Sequence, residues 1–413
     1  MTDTRIAYVT CRYPPMRTSG TYRVEAVLRH LPEHGYHLTP VTLPRRLVRL
    51  KAGPEAAANL ESDPGVLRPS TAFDSAIEAV MRVPYLRRLY REVVLPDTLA
   101  PWAWTAWRKV VANLEGVSAI YATSPPYSAM VLADRLARAL DVPLIQELRD
   151  PPSFDRVIKY RTRAFQRRVH DFEGRYLSRA DAVIALTPTM RTRFIELHPG
   201  LDPKRVHVVT NGYPDIEART EEVDRDSGVF TLVYTGTFIH GARGKEEGPF
   251  NPAVLLPALE KLGTPSELRI AGRMTRTQIG HLGPASNGSI TRILGEVPRQ
   301  AAISEIAAAD IAVIVADDHD WWIGRKVFEY LAFAKRILAI LPPGDASDLL
   351  QASPKALIVP IGDPAALDQA VQSLHDEWAR GGGIEVGEVV VPDDATSVRG
   401  IANVLDSVLS RAD

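Results

Sequence analysis

The sequence predicts an α/β protein of two Rossmann-like halves, each a doubly wound parallel sheet, and three observations predict it. Apolar runs of strand length alternate with segments of helical period, the grammar of parallel strands joined by crossover helices. That grammar starts twice, at Ile6 and at Phe230, and beyond Pro214 the polar stretch IEARTEEVDRDSG, without period, separates the two starts. The 413 residues also exceed what one compact core usually holds. The expected organisation is a first half over 1–214 with an insertion over 44–114, a linker over 215–228, a second half over 229–393 and a terminal helix over 394–413.

In the first half, Ile6 to Thr10 reads as a strand, and the loop CRYPPMRTSG brings Ser19, Gly20 and Thr21 to a helix with Val24, Val27, Leu28 and Leu31 on its apolar face. One glycine does not make a dinucleotide fingerprint. The single cysteine, Cys11, excludes an internal disulfide and a cysteine zinc site, and its place after an apolar strand suits a buried thiol better than a nucleophile. After a second strand, His37 to Leu43, comes a region rich in Arg, Pro and Trp. Two readings of 85–109 stand there. Arg87, Arg88, Arg91, Arg108 and Lys109 among Tyr85, Tyr90, Trp102, Trp104 and Trp107 could lie on an anionic membrane surface, or the segment could be a packed insertion with its arginines in water. The lack of a clean amphipathic period through the aromatic part favours packing. Order returns with the strand Ser118 to Thr123, a helix opened by SPPYS, and the strand Pro143 to Leu148. Arg149 and Asp150 fall at the carboxyl end of that strand, where such sheets bind ligands. A helix over Phe165 to Leu177, the strand Ala182 to Leu186, a helix opened by Thr187 and Pro188, and the strand Val206 to Thr210 follow.

In the second half, the strand Phe230 to Tyr234 leads through Thr235, Gly236 and Thr237 into FIHGARGKEEGP, whose glycines, Arg243 and Lys245 form a candidate phosphate loop. A helix over Pro252 to Leu262 and the strands Leu268 to Ala271 and Ile290 to Leu294 come next, then a helix from Pro298 and the strand Ile311 to Ala316. Past the acidic turn Asp317 to Asp320, a helix opens with Gly324, Arg325 and Lys326, where unpaired N–H groups and two cations suit a phosphate. One turn on, Glu329 suits the diol of a nucleotide ribose. The strands Arg336 to Leu341 and Ala356 to Pro360, a helix over Asp363 to Trp378, and a last apolar period of Val398, Ile401, Val404, Leu405 and Val408 complete the pattern.

Bulk properties narrow the class. A net charge of -1 gives no global field for nucleic acid. The start MTDTRIAYVT lacks a signal-peptide layout and no apolar run reaches membrane-span length, so a cytoplasmic protein is expected. The acidic pair Asp317, Asp318 is not an isolated Asp-x-Asp metal motif in the right context, so no essential metal is expected.

The segment WWIGRKVFEYLAFAKRILAI, Trp321 to Ile340, resembles the donor signature of GT-B glycosyltransferases of family 4, whose helix reads Pro-Ser-Lys-x-Phe-Glu-Tyr-Leu-Ala; Lys326, Phe328, Glu329, Tyr330, Leu331 and Ala332 stand as in that pattern. Trp321 replaces the first glutamate of the family's Glu-x7-Glu pair, and Ala334 and Arg336 replace its Gly and Pro. The pieces TSPPYS, ELRDPP, Ala-Asp-x-Val-Ile, Asn-Gly-Tyr and Tyr-Thr-Gly-Thr extend the resemblance over most of the chain. It implies a GT-B fold with the two halves facing a central cleft and the terminal helix crossing back to the first half. It also implies a retaining, metal-independent transfer from a UDP- or GDP-sugar to an acceptor hydroxyl. Carried residue by residue, it assigns Asp150, Lys326 and Arg243 to catalysis, and Gly236, Thr237, Lys245, Gly324, Arg325, Lys326 and Glu329 to the donor. Gly20, Arg23 and Arg149 fall on the acceptor side. A nucleotide-sugar 2-epimerase and a non-catalytic nucleotide-binding protein are the alternatives, while a dinucleotide oxidoreductase lacks its glycine fingerprint.

Overall fold

A computed structural model describes residues 4–58, 60, 65–155, 162–223, 228–236, 252–274, 279, 282, 288–316, 319–381 and 390–411. The chain divides into two compact units, one running to Asn211 and resuming at Asp394, the other running from Gly212 to Asp393.

Unit 1 is built on β1 (Thr4–Thr10), α1 (Ser19–His30), β2 (Tyr36–Val41), α2 (Arg45–Ala58), α3 (Phe73–Arg82), α4 (Pro84–Val93), α5 (Ala100–Val110), β3 (Ala119–Ser124), α6 (Ser128–Leu140), β4 (Leu144–Leu148), α7 (Arg163–Ser178), β5 (Ala182–Ala185), α8 (Pro188–Leu197) and β6 (Val206–Val208). The strands form one parallel sheet in the order β2-β1-β3-β4-β5-β6, so the chain reverses its direction of travel between β1 and β3. That reversal opens a crevice at the carboxyl ends of the two strands. Helix starts follow local chemistry. Thr18, Thr162 and Thr187 accept hydrogen bonds from the backbone N–H three residues on and so fix where α1, α7 and α8 begin.

The insertion is helical and joins the unit in two ways. Leu67 bridges Val41 at the sheet edge, with its N–H on the Pro40 carbonyl at 2.8 Å. Asp97 takes the Ser128 N–H at 2.8 Å and the Ser128 hydroxyl at 2.6 Å, capping α6 from outside its own sequence neighbourhood. The two readings of 85–109 divide along the chain. Helix α5 is packed: Trp102 is fully buried and its indole N–H donates to the Pro69 carbonyl at 2.8 Å. Helix α4 is not, with Tyr85 70% and Val93 63% exposed and Leu86 and Leu89 exposed as well.

Unit 2 contains β7 (Phe230–Thr235), α9 (Leu256–Lys261), β8 (Ser266–Ala271), β9 (Ile290–Gly295), α10 (Arg299–Ala308), β10 (Ile311–Val315), α11 (Arg325–Phe333), β11 (Arg336–Ile340), α12 (Asp345–Gln351), β12 (Ala356–Val359) and α13 (Pro364–Ala379). Its parallel sheet runs β12-β11-β10-β7-β8-β9, with the reversal between β7 and β10. Alternation along β7 feeds two cores, since successive strand side chains point to opposite faces. Phe230, Leu232 and Tyr234 pack with Leu259, Leu367 and Val371, while Val233 packs with Ile306, Val327, Phe328 and Leu331.

Two segments differ from expectation or extend it. The start of the expected linker, 215–223, is strapped to unit 2: Ile216 and Ala218 pack against its core, and the Arg219 N–H donates to Ser304 Oγ at 2.9 Å. Its polar composition concealed two small apolar contacts, which suffice because backbone hydrogen bonds supply the rest. The last helix, α14 (Asp394–Leu409), belongs to unit 1, where Val398, Ile401, Val404, Leu405 and Val408 join Ile6, Tyr8, Val24, Val27 and Leu31 in one core.

Candidate active site

In unit 2 the carboxyl ends of β7 and β10 gather most of the donor residues that the sequence singles out. Gly236 follows β7 with φ 133°, a conformation open to glycine alone, and its N–H bonds the Ala271 carbonyl at 2.9 Å. Gly272 approaches so closely that a Cβ there would lie 1.8 Å from the Gly236 carbonyl oxygen. These strand ends are therefore locked backbone to backbone. Across them α11 begins at Gly324, an N-cap that offers no side chain to the first-turn N–H groups. A Cβ on Gly324 would strike the Trp322 ring. Tyr330, on the next turns of α11, accepts the Thr235 N–H at 2.9 Å and ties the helix to the end of β7.

Lys326 is the residue that this framework presents. Its ammonium lies 4.5 Å from the centroid of the Tyr234 ring and 3.4 Å from the Tyr234 hydroxyl, beside Gly236. Burial lowers its pKa to about 8, against a smaller opposing pull from Glu329. Burial likewise pushes Tyr330 up to about 12 and raises Tyr234, so both stay neutral hydroxyls. Arg325 and Glu329 have a partner the sequence reading missed: Arg299 Nη2 meets Glu329 Oε1 at 2.8 Å and Arg325 Nε meets the same oxygen at 3.5 Å. Arg325 thus turns its Nε along its own helix toward Glu329, as the i,i+4 spacing allows. Arg299 opens α10 after Pro298, and only that helix start could have signalled it. Trp321, which occupies the place of the family's first glutamate, is buried and edge-on to His319. Thr237, Arg243 and Lys245 lie outside the described residues, as do Asp317 and Asp318.

In unit 1 the reversal between β1 and β3 is covered by Arg149. Its Nε donates to the Ser124 carbonyl at 3.2 Å and its Nη2 to the Pro125 carbonyl at 2.6 Å, and a Cβ on Gly20 would lie 2.2 Å from Nη1. Gly20 is therefore the space that the guanidinium occupies. Arg12, in the loop after β1, is half-buried, and burial and then Arg149 lower its pKa. Asp150 is half-buried, with its carbonyl accepting the Tyr127 hydroxyl at 3.2 Å. Glu173, fully buried, anchors the following loop by accepting the Ser153 hydroxyl and binding His198 Nε2 at 2.7 Å. Cys11 is buried with its thiol pKa raised by burial, in keeping with an inert group.

Arg23 does not belong with these residues. It is 2% exposed; its Nε donates to Glu147 Oε1 at 3.0 Å, and Nη1 reaches the Thr210 carbonyl and Ser397 Oγ. Expected on the acceptor side, Arg23 is buried, and its donors hold β4, the end of β6 and α14 together.

Comparison with known proteins places this geometry. Residues 19–212 match the family described as Glycosyl transferase 4-like domain. No curated protein matches the chain. Among solved structures, a Burkholderia multivorans α,α-trehalose 6-phosphate synthase superposes with TM-score 0.63 at 14% identity, over 100% of both chains. Anabaena HepE does so with TM-score 0.58 at 14% identity, over 99% of this chain and 98% of that one. A Listeria monocytogenes protein described as a UDP-N-acetylglucosamine 2-epimerase gives TM-score 0.60 at 9% identity, over 100% and 98%. At such identities these likenesses speak for the fold, and they agree with two parallel six-stranded sheets flanked by helices. The chain thus has the two-domain GT-B fold, and its residues 19–212 match the glycosyl transferase 4-like domain.

Proposed function

We propose that this protein is a glycosyltransferase that takes its sugar from a nucleoside diphosphate sugar, UDP- or GDP-linked, and passes it to an acceptor hydroxyl with retention of configuration and without an essential metal. The observation that carries this reading is Lys326, its ammonium over Tyr234 at the end of β7 and beside the uncapped start of α11. Both supply positive charge at the point where a doubly wound sheet takes its ligand. As the bond from the anomeric carbon to the diphosphate breaks, its electron pair stays on the leaving oxygen. Lys326 and the helix start, with Arg243 and Lys245 of the β7 loop, stabilise that charge. The acceptor oxygen attacks on the face that the diphosphate leaves, and its proton goes to the departing phosphate. Asp150 orients the acceptor hydroxyl, and Arg149 and Gly20 line its approach. Glu329 receives the ribose. The Anabaena HepE structures contain UDP, UDP with glucose, and UDP-glucose, which supports a uridine donor.

The acceptor in this reading is carried by a lipid, and the protein meets an anionic membrane through α4. What supports it is the layout of that helix: at 100° per residue, Tyr85, Leu86, Leu89 and Val93 fall within an arc of roughly 100°, and Arg87 and Arg88 lie outside it. No helix among the described residues is long and apolar enough to cross a membrane, so surface contact is the mode proposed. Thermal shift against UDP-, GDP-, ADP- and TDP-sugars, followed by release of nucleoside diphosphate with and without acceptor and with chelator, tests the transfer. Stabilisation by none of the UDP- or GDP-sugars, or loss of turnover on chelation, overturns it. Sedimentation with vesicles containing phosphatidylserine tests the surface: Leu86→Glu with Leu89→Glu should abolish it, and a parent protein that never sediments at low salt removes the lipid-linked acceptor. The likeness to the Listeria epimerase favours one second reading, in which donor alone yields free sugar or epimer and an acceptor changes nothing.

A further inference from the structure

Glu329 is gripped on one oxygen. Arg299 and Arg325 both meet Oε1, at 2.8 and 3.5 Å, and Oε2 accepts no hydrogen bond from any described residue. The two guanidiniums come from different directions: Arg325 lies one turn back on the same helix, while Arg299 is the first residue of α10. All three side chains are largely withdrawn from water, with 18%, 14% and 8% exposure for Arg299, Glu329 and Arg325. A carboxylate paired only along its own helix keeps rotational freedom about its last bond. A second contact from another helix removes it.

We propose that Arg299 is a positioning residue that sets the ribose selectivity of the donor site. By fixing Oε1 it leaves Oε2 as the one acceptor for the sugar diol, and two lone pairs on that oxygen match the 2′ and 3′ hydroxyls of a ribonucleotide. The inference rests on the donor reading given above. A 2′-deoxyribonucleotide leaves one of those positions unfilled in a site poor in water, and a hydrogen bond to a charged group lost in this way corresponds to about tenfold or more in affinity. Without Arg299 the carboxylate turns with whichever hydroxyl is present, and the preference falls.

The test is calorimetry at pH 7 with UDP and 2′-deoxy-UDP, and with the corresponding guanosine pair, on the parent, Arg299→Gln and Arg299→Lys, each checked by thermal unfolding. The parent is expected to favour the ribonucleotide about tenfold. Arg299→Gln should reduce that ratio to about threefold or less, and Arg299→Lys, which keeps a charge for Oε1, should restore part of it. If Arg299→Gln, or Arg299→Lys should the former not fold, weakens both nucleotides equally with the ratio unchanged, Arg299 only ties α10 to α11 and the inference is overturned. A parent that binds neither UDP nor GDP overturns the donor reading itself, which is a different result.

Discussion

The depressed pKa of Lys326 makes donor binding depend on pH in a way that can be worked out in advance. With a pKa of about 8, the free protein carries the ammonium on about nine molecules in ten at pH 7 and on about one in ten at pH 9. A bound diphosphate brings negative charge to the ammonium and raises its pKa, so the complex stays protonated where the free site has lost its proton. Affinity for UDP should then be nearly flat from pH 7 to 7.5 and fall through pH 8, about tenfold weaker at pH 9 than at pH 7, or about 1.4 kcal/mol. The terminal phosphate of UDP titrates near pH 6 and is already ionised over this range. Calorimetry at pH 8.5 in two buffers of different ionisation enthalpy should show uptake of a proton on binding. Lys326→Met should bind more weakly at pH 7 and lose both the slope and the proton uptake. A parent whose affinity is constant from pH 7 to 9 refutes the reasoning, because the lysine then either keeps its proton throughout or does not meet the diphosphate.

Other expectations follow from single contacts. Gly272→Ala places a Cβ 1.8 Å from the Gly236 carbonyl oxygen, where only backbone can move, so urea denaturation should show a loss of about 3 kcal/mol or more; a loss below about 1 kcal/mol contradicts the strand-end packing. Gly20→Ala meets only the movable end of Arg149, so stability should change by less than about 1 kcal/mol while transfer to acceptor falls and donor affinity holds; unchanged transfer removes Arg149 from the acceptor site. Arg23→Met strands the buried carboxylate of Glu147 and should cost about 3–5 kcal/mol in urea denaturation; intact stability with impaired acceptor kinetics would restore the role first expected of it. Glu329→Gln should weaken UDP more than it weakens pyrophosphate, since the amide offers the diol a poorer acceptor, and equal weakening of both places Glu329 away from the ribose.

The parts of this protein that could be read from sequence are those set by local period. Val398, Ile401, Val404, Leu405 and Val408 recur at helical spacing, and in the structure they form one buried face. The strands IAVIV and FTLVYT are apolar on both sides because helices cover both faces of the sheet, and that too is a local signal. The segment 85–109 shows where period stops being enough. Helices α4 and α5 have similar mixtures of aromatic and basic residues, yet in α5 Trp102 is buried with its indole on the Pro69 carbonyl 33 residues back, while in α4 Tyr85 is exposed and no described residue covers it in that way. That difference lies in tertiary contacts, which composition does not contain.

Charged residues were harder still, because the role of a guanidinium depends on where the nearest carboxylate lies. Arg23 follows Gly20 by three residues, but its partner Glu147 is 124 residues away, and that buried pairing is invisible in the local sequence. Arg299 drew no attention, since its partner Glu329 lies 30 residues on and on another helix. The i,i+4 spacing of Arg325 to Glu329 is a local signal, and it competes with the pull of a helix start on a phosphate. Lys326 differs from all three. It stands one position past Arg325, about 100° further round the helix, and its ammonium lies over the Tyr234 ring at the end of β7. Two adjacent cations at one helix start thus take different partners: Arg325 lies against Glu329, and Lys326 lies over Tyr234, where the proposed mechanism sets the diphosphate.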